Sequence, residues 1–310
     1  MNPMVTRGAR WARRGIALAS LALAGCAHTS SPSASASTDS AQSTREATAI
    51  RDGSVTAADG TKIHFLEGGR GNIAIFFIHG WLGNAHWWDE QLAHFGPRYR
   101  VVALDLADFG QSGHGRKAWT LQSAADDARA VAEKLGLDRV VWVGHSMSGD
   151  LIVEIANRVP ERTAGLIPID TLQDFTPMTG AEKDGFLAPL QKDFVPGAQA
   201  VFKDNLLPSS PEPVVHRLLD EVSASPKETS IAALRSVFDY DVASAIRNVK
   251  APVVAVNSDR SPTRVEENRN FCRQFDVILM KNVGHWPMLE RPREFDDLLQ
   301  QAIDRTTAAR

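Results

Sequence analysis

After residue 50 the chain is punctuated by short apolar or β-branched runs at 62–66, 73–78, 100–104, 139–143, 164–169, 252–256 and 276–280. Several of them, such as Ile73-Ala74-Ile75-Phe76-Phe77-Ile78, are apolar without alternation, which is the mark of strands covered on both faces. Stretches with helical spacing of apolar positions fall between these runs, among them 123–135, 150–158, 265–275 and 293–303, the last carrying Phe295, Leu298, Leu299 and Ala302. Strand and helix in alternation predict an α/β protein built on a mainly parallel, doubly wound sheet. The stretch 171–248 breaks the rhythm. It holds no convincing strand, while Phe186, Leu187, Leu190, Phe194, Val201, Phe202, Leu206, Leu218 and Leu219 recur at roughly helical spacing. Proline rings at Pro196, Pro208, Pro211 and Pro213 divide it into several helices. The reading is a core formed by 51–170 and 249–310 with a helical cap inserted at 171–248, and no internal repeat.

The first fifty residues follow a different logic. Arg7, Arg10, Arg13 and Arg14 precede an apolar run over 16–24 that is too short to span a bilayer, the pattern of a secretory signal. The run ends in Leu23-Ala24-Gly25-Cys26, which resembles at all four positions the lipobox of bacterial lipoproteins, where the cysteine thiol takes a diacylglyceryl group before cleavage. The alternative is an ordinary signal peptide that contains a cysteine. Residues 1–25 are thus expected to be a lipoprotein signal peptide with Cys26 the lipidated residue. Residues 26–50, mostly Ser, Ala and Thr, cannot offset their own ordering entropy and read as a flexible tether. Two or three acyl chains give stable membrane anchoring. Ala27 is not the Asp that favours inner-membrane retention in the bacterial pattern this resembles. The expectation is an exported protein on the periplasmic face of the outer membrane of a Gram-negative bacterium. Arg13-Arg14 match a twin-arginine export signal poorly.

Composition changes this picture little. An apolar fraction of 43% and a charged fraction of 23% suit a globular domain, and nothing in them calls for a nucleic-acid partner. Without the four arginines of residues 1–25, the formal net charge of −3 becomes −7, a mildly acidic surface. With Cys26 committed to lipid, Cys272 is the remaining thiol, so no intramolecular disulfide is available and Cys272 reads as a buried apolar residue. No Cys/His cluster, regular His/carboxylate spacing or Gly-rich phosphate loop points to a metal or cofactor.

Chemistry concentrates in four places. Gly144-His145-Ser146-Met147-Ser148-Gly149 stands directly after the strand Val140-Val141-Trp142-Val143 and before a helical pattern. A serine hydroxyl is a poor nucleophile unless a tight strand-to-helix turn exposes it near a base and near donors for the oxyanion. His79-Gly80-Trp81-Leu82-Gly83-Asn84 follows the strand 73–78, and Asn282-Val283-Gly284-His285-Trp286-Pro287 follows the last strand. Val253-Val254-Ala255-Val256-Asn257-Ser258-Asp259 places an acid just past a strand, between Ser146 and His285 in chain order.

Together these motifs resemble the α/β-hydrolase superfamily, from about residue 59 to 303. The resemblance implies the α/β-hydrolase fold, Ser146 as nucleophile on its elbow, His285 as general base, and backbone N–H groups of Trp81 and Met147 as oxyanion donors, with Leu82 able to replace Trp81. Asp259 is the expected third member, holding the imidazole tautomer. Asp170, at the end of the strand 164–169, is the runner-up, because some members carry the acid there. One departure stands out: the usual Gly-x-Ser-x-Gly has glycine where this chain has Ser148. His79 reads as structural, as does the loop Asp105-Leu106-Ala107-Asp108-Phe109-Gly110, where Asp108 replaces a common glycine, and Leu289-Glu290-Arg291-Pro292 reads as a helix lead-in. His28, His64, His86, His94, His114 and His216 sit in no recognised catalytic context.

A serine at the elbow excludes the epoxide hydrolase and dehalogenase mechanisms of the superfamily, which need Asp there. The leading expectation is an enzyme without cofactor that hydrolyses a carboxylic ester through an acyl-serine, acting on a small-molecule acyl substrate held under the cap. Lactonase, amidase, C–C hydrolase and cofactor-free haloperoxidase chemistry use the same triad. A different class of reading is a ligand sensor that keeps the triad, since Gly-His-Ser-x-Ser also resembles the elbow of plant butenolide receptors and of a bacterial stress regulator.

Overall fold

The computed structural model describes residues 49–308, so the expected signal peptide, Cys26 and nearly all of the Ser/Ala-rich segment lie outside the described residues. Eight strands form one sheet: β1 (Arg51–Thr56), β2 (Lys62–Gly69), β3 (Ala74–Ile78), β4 (Arg100–Leu104), β5 (Val140–His145), β6 (Thr163–Ile169), β7 (Val253–Ser258) and β8 (Phe275–Met280). Their order across the sheet is β1-β2-β4-β3-β5-β6-β7-β8. β2 runs antiparallel to both β1 and β4, and every other pairing is parallel. All five residues of β3 and all six of β5 and of β7 are buried, as their unbroken apolar runs require of central parallel strands. The strand absent from the sequence reading is β1. Its sequence Arg-Asp-Gly-Ser-Val-Thr is polar, and at the edge of the sheet it stays largely exposed, so no apolar pattern announces it.

Helices α1 (Asp89–Phe95), α2 (Leu121–Lys134), α3 (Ser148–Arg158), α9 (Val265–Arg269), α10 (Pro287–Glu290) and α11 (Pro292–Thr307) belong to the core. Thr120 caps α2 with a capping box in which Ser123 takes the third position; the hydroxyl of each satisfies a backbone N–H of the other. The helix read at 265–275 ends earlier, at Arg269; Asn268 in its last turn points inward, its carboxamide donating to Leu172 O and accepting from Phe175 N–H. Between β6 and β7 lie α4 (Gly180–Lys192), α5 (Phe194–Asn205), α6 (Glu212–Ala224), α7 (Lys227–Phe238) and the single turn α8 (Val242–Ala245). Pro211 caps α6 and Pro213 sits in its first turn, where a missing N–H costs nothing. Pro196 likewise falls in the first turn of α5, so the break it marks is at Asp193.

These helices are tied to the core by polar groups. Glu221 on α6 accepts from the Trp87 indole at 2.6 Å and from Asn84 at 2.9 Å, and the Trp81 indole donates to Ser230 O on α7 at 2.9 Å. Cys272 is a free, buried thiol whose pKa burial raises to about 11, in keeping with an apolar role.

Candidate active site

Ser146 stands between β5 and α3 with φ of +53°, a left-handed backbone that non-glycine residues rarely adopt. Its N–H donates to Ile169 O at 3.0 Å, and its own carbonyl accepts from Gly149 N–H at 2.9 Å, so neighbours on both sides hold the strained turn. The turn is tight enough that a Cβ on Gly144 would come within 2.2 Å of Ser148 O. Ser148, in the place of the usual glycine, is fully buried and donates its hydroxyl to His79 O at 2.6 Å. The substitution thereby joins the elbow to the loop after β3.

The Ser146 hydroxyl lies 2.9 Å from His285 Nε2, and His285 Nδ1 lies 2.6 Å from Asp170 Oδ2. A carboxylate can only accept, so Nδ1 carries the proton and Nε2 faces the serine as acceptor. The other Asp170 oxygen accepts from Ser258 N–H at 2.8 Å. Burial opposes ionisation of Asp170, yet the hydrogen bond and charge of His285 and the Ser258 N–H overcome it and hold its pKa below the ordinary carboxylate value.

The expectation for Asp259 is therefore corrected. Asp259 is exposed at the end of β7, and its carboxylate accepts from Asn282 N–H at 3.0 Å, closing the turn after β8. Asp170 ends β6, the immediate neighbour of β5 in the sheet, whereas β7 lies one strand farther out. With φ of +46° at Asp170, the chain leaves β6 with this side chain turned onto the His285 imidazole.

His285 is placed by its own surroundings. Its N–H donates to Asn205 O at 3.0 Å, and its carbonyl accepts from His145 Nε2 at 2.7 Å. Glu290 accepts from Gly284 N–H at 3.0 Å, Trp286 N–H at 3.2 Å and the Ser210 hydroxyl at 2.6 Å, so the helix lead-in is also the clamp of the histidine loop. His145 is buried and neutral, with its pKa driven well below the ordinary value by burial and by the charge of His285. His79 is neutral for the same first reason, donating from Nδ1 to Gly80 O and accepting from Leu106 N–H. Asp105 bonds His64, Ala85 N–H and Gln111 N–H. Asp108 has φ of +70°, which is why a glycine suits its position.

Ser146 and His285 open into a cavity of about 360 Å³ between the strand ends and the helices inserted after β6. Trp81, Met147, Phe202, Leu234 and Trp286 give it an apolar wall, and Asp150, Thr171, Gln173 and Asn205 add polar groups. Trp81 and Met147 both line it, and among the described residues neither backbone N–H has a protein acceptor. The cap-side wall is the part that sequence motifs did not supply: Asn205 and Phe202 enter the site through packing, with the Phe202 ring centred 4.8 Å from that of Trp286 and tilted 38° to it.

The model of the Alpha/beta hydrolase family matches residues 75–298, and the chain belongs to that family. A non-heme haloperoxidase from Rhodococcus erythropolis is 42% identical over 117 residues, which are 36% of this chain and 40% of that protein. A bifunctional esterase/perhydrolase from Acinetobacter calcoaceticus is 34% identical over 136 residues, 43% of this chain and 52% of that one. The chain spans about half the length, or less, of these curated relatives. Among solved structures, a thermophilic esterase from Thermogutta terrifontis superposes with a TM-score of 0.72 at 21% identity, covering 83% of this chain and 99% of that one, a likeness of fold. The eight-stranded, mainly parallel sheet agrees with that membership.

Proposed function

We propose that this hydrolase cleaves carboxylic esters through an acyl-Ser146 intermediate. The observation that carries the reading is the continuous chain Ser146 Oγ, His285, Asp170, with spacings of 2.9 and 2.6 Å, opening into a largely apolar cavity. In the first half-reaction His285 Nε2 takes the Ser146 proton as Oγ attacks the acyl carbon. The resulting imidazolium is stabilised by Asp170, which stays ionised. The negative charge on the carbonyl oxygen falls to the N–H groups of Trp81 and Met147, each of which is worth roughly 2.7–4 kcal/mol in such sites. His285 then protonates the leaving alcohol, and water attacks the acyl-enzyme by the reverse route.

Names of relatives support the same acyl chemistry with a second acceptor. If hydrogen peroxide replaces water in the second half-reaction, the product is a peracid, the chemistry that the name of the Acinetobacter relative implies.

The test is turnover of short-chain 4-nitrophenyl esters together with labelling by a fluorophosphonate. Ser146→Ala should reduce turnover by at least about four orders of magnitude while the fold is retained, and the adduct should map to Ser146. Undiminished turnover in that variant would remove Ser146 from its role.

We further propose that Cys26 is lipidated and anchors the enzyme to the periplasmic face of the outer membrane. The support is the Leu23-Ala24-Gly25-Cys26 sequence and the polar stretch behind it. Metabolic labelling with a clickable palmitate should mark the wild-type chain in the outer-membrane fraction and be lost in Cys26→Ser; equal labelling of both would refute the anchor.

A further inference from the structure

Asp150 is a charged group of the catalytic cavity for which the mechanism has no use. It sits in the first turn of α3, four residues after Ser146, and both residues line the same cavity. Its carboxyl has no hydrogen bond or ion pair from another side chain among the described residues, and the residue's partial exposure opens onto the cavity. The polar groups farther along the same helix are all engaged. Glu154 accepts from the Tyr240 hydroxyl at 2.9 Å and from Arg158 at 2.8 Å, and the Asn157 carboxamide donates to Ala245 O at 3.0 Å.

The rest of the wall gives this carboxyl a direction. Among the described residues no lysine or arginine lines the cavity, and the second acid there, Asp174, is already paired with Arg264 at 3.3 Å. A negative substrate group would be repelled by the ionised Asp150 carboxylate, with no basic side chain among the described lining residues to offset it. A protonated amine would supply the missing donors and charge, in surroundings where such a pair is less screened than in water.

We infer that Asp150 is a specificity residue that selects esters carrying a protonated amine, a reading that rests on the ester hydrolysis proposed above. Burial without a counter-charge pushes the Asp150 carboxyl up to about 7, as a group waiting for a cationic partner should be. The amine would occupy the cavity wall formed by α3 while the acyl carbon sits at Ser146. No covalent step is added; the ammonium enters and leaves with its part of the substrate.

The experiment compares kcat/KM for three matched pairs of 4-nitrophenyl esters: glycine with propanoate, β-alanine with butanoate, and 6-aminohexanoate with heptanoate. In the wild type at least one amino ester should exceed its alkyl partner, and in Asp150→Asn that ratio should fall roughly tenfold or more, the size expected for losing a hydrogen bond between charged groups. A ratio unchanged in Asp150→Asn, or one lowered instead by Asp174→Asn, would overturn the proposal. A binding readout keeps it separable from the ester reading: hexylammonium should slow fluorophosphonate labelling of Ser146 in the wild type and need a roughly tenfold higher concentration in Asp150→Asn. If no ester is turned over but this protection shifts, the ester reading fails and the ammonium site stands; equal protection in both proteins sinks the ammonium site.

Discussion

His285 Nδ1 lies 2.6 Å from Asp170 Oδ2, so the carboxylate that orients the candidate base comes from the strand beside the nucleophile's own. Asp170→Asn should lower kcat for a 4-nitrophenyl ester by on the order of 10³–10⁴-fold, because an amide in that place favours the wrong imidazole tautomer. Asp259→Asn, which alters a turn-closing bond to Asn282 N–H, should cost less than about tenfold, in line with the modest worth of a partly exposed hydrogen bond. Steady-state kinetics on the two variants decide it, and the reverse ranking would return Asp259 to the triad.

Ser148 makes a second prediction, since its hydroxyl is the donor to a buried carbonyl, His79 O, at 2.6 Å. Ser148→Ala should destabilise the fold by about 1–3 kcal/mol, the cost of leaving a buried acceptor unpaired. Urea denaturation gives the number. A neutral result would mean that the elbow and the His79 loop are held together by packing alone.

Glu290 gathers two backbone N–H groups and the Ser210 hydroxyl on either side of His285. In Glu290→Gln one acceptor oxygen becomes an NH₂ that faces a donor. The expected outcome is a loss of about 1.5–3 kcal/mol in stability, with kcat reduced on the order of tenfold as His285 loses its placement. A stability loss with full kcat would show that Asn205 and His145 suffice to hold the base.

His145 links stability to pH. Burial keeps its native pKa well below the ordinary value, so below about pH 6.5 the unfolded chain takes up a proton that the native protein refuses. The stability this histidine contributes is therefore complete at higher pH and is lost as pH falls toward the native pKa. Comparing wild type with His145→Gln by urea denaturation at about pH 7.5 and about pH 5.5, the wild type's advantage should narrow at the lower pH. An advantage that stays constant would mean that His145 is not buried neutral.

By itself the sequence determined the parts of this protein that local chemistry dictates. Short runs rich in Ile and Phe between turn residues, such as 73–78, read as strands covered on both faces, and the turn after β5 requires the small residues found around Ser146. Tertiary structure decided what depends on which elements become neighbours. Asp170 and Asp259 both end strands and both fall between Ser146 and His285 in the chain; the order β5-β6-β7 alone brings Asp170 to the imidazole. The polar edge strand β1 forms because β2 offers it a ladder, and no periodicity in its six residues says so. Asp150 shows the same limit. A carboxylate in the first turn of a helix is ordinary in sequence, and only the folding of α4 to α8 over the strand ends closes a cavity around it in which no other described side chain bonds it.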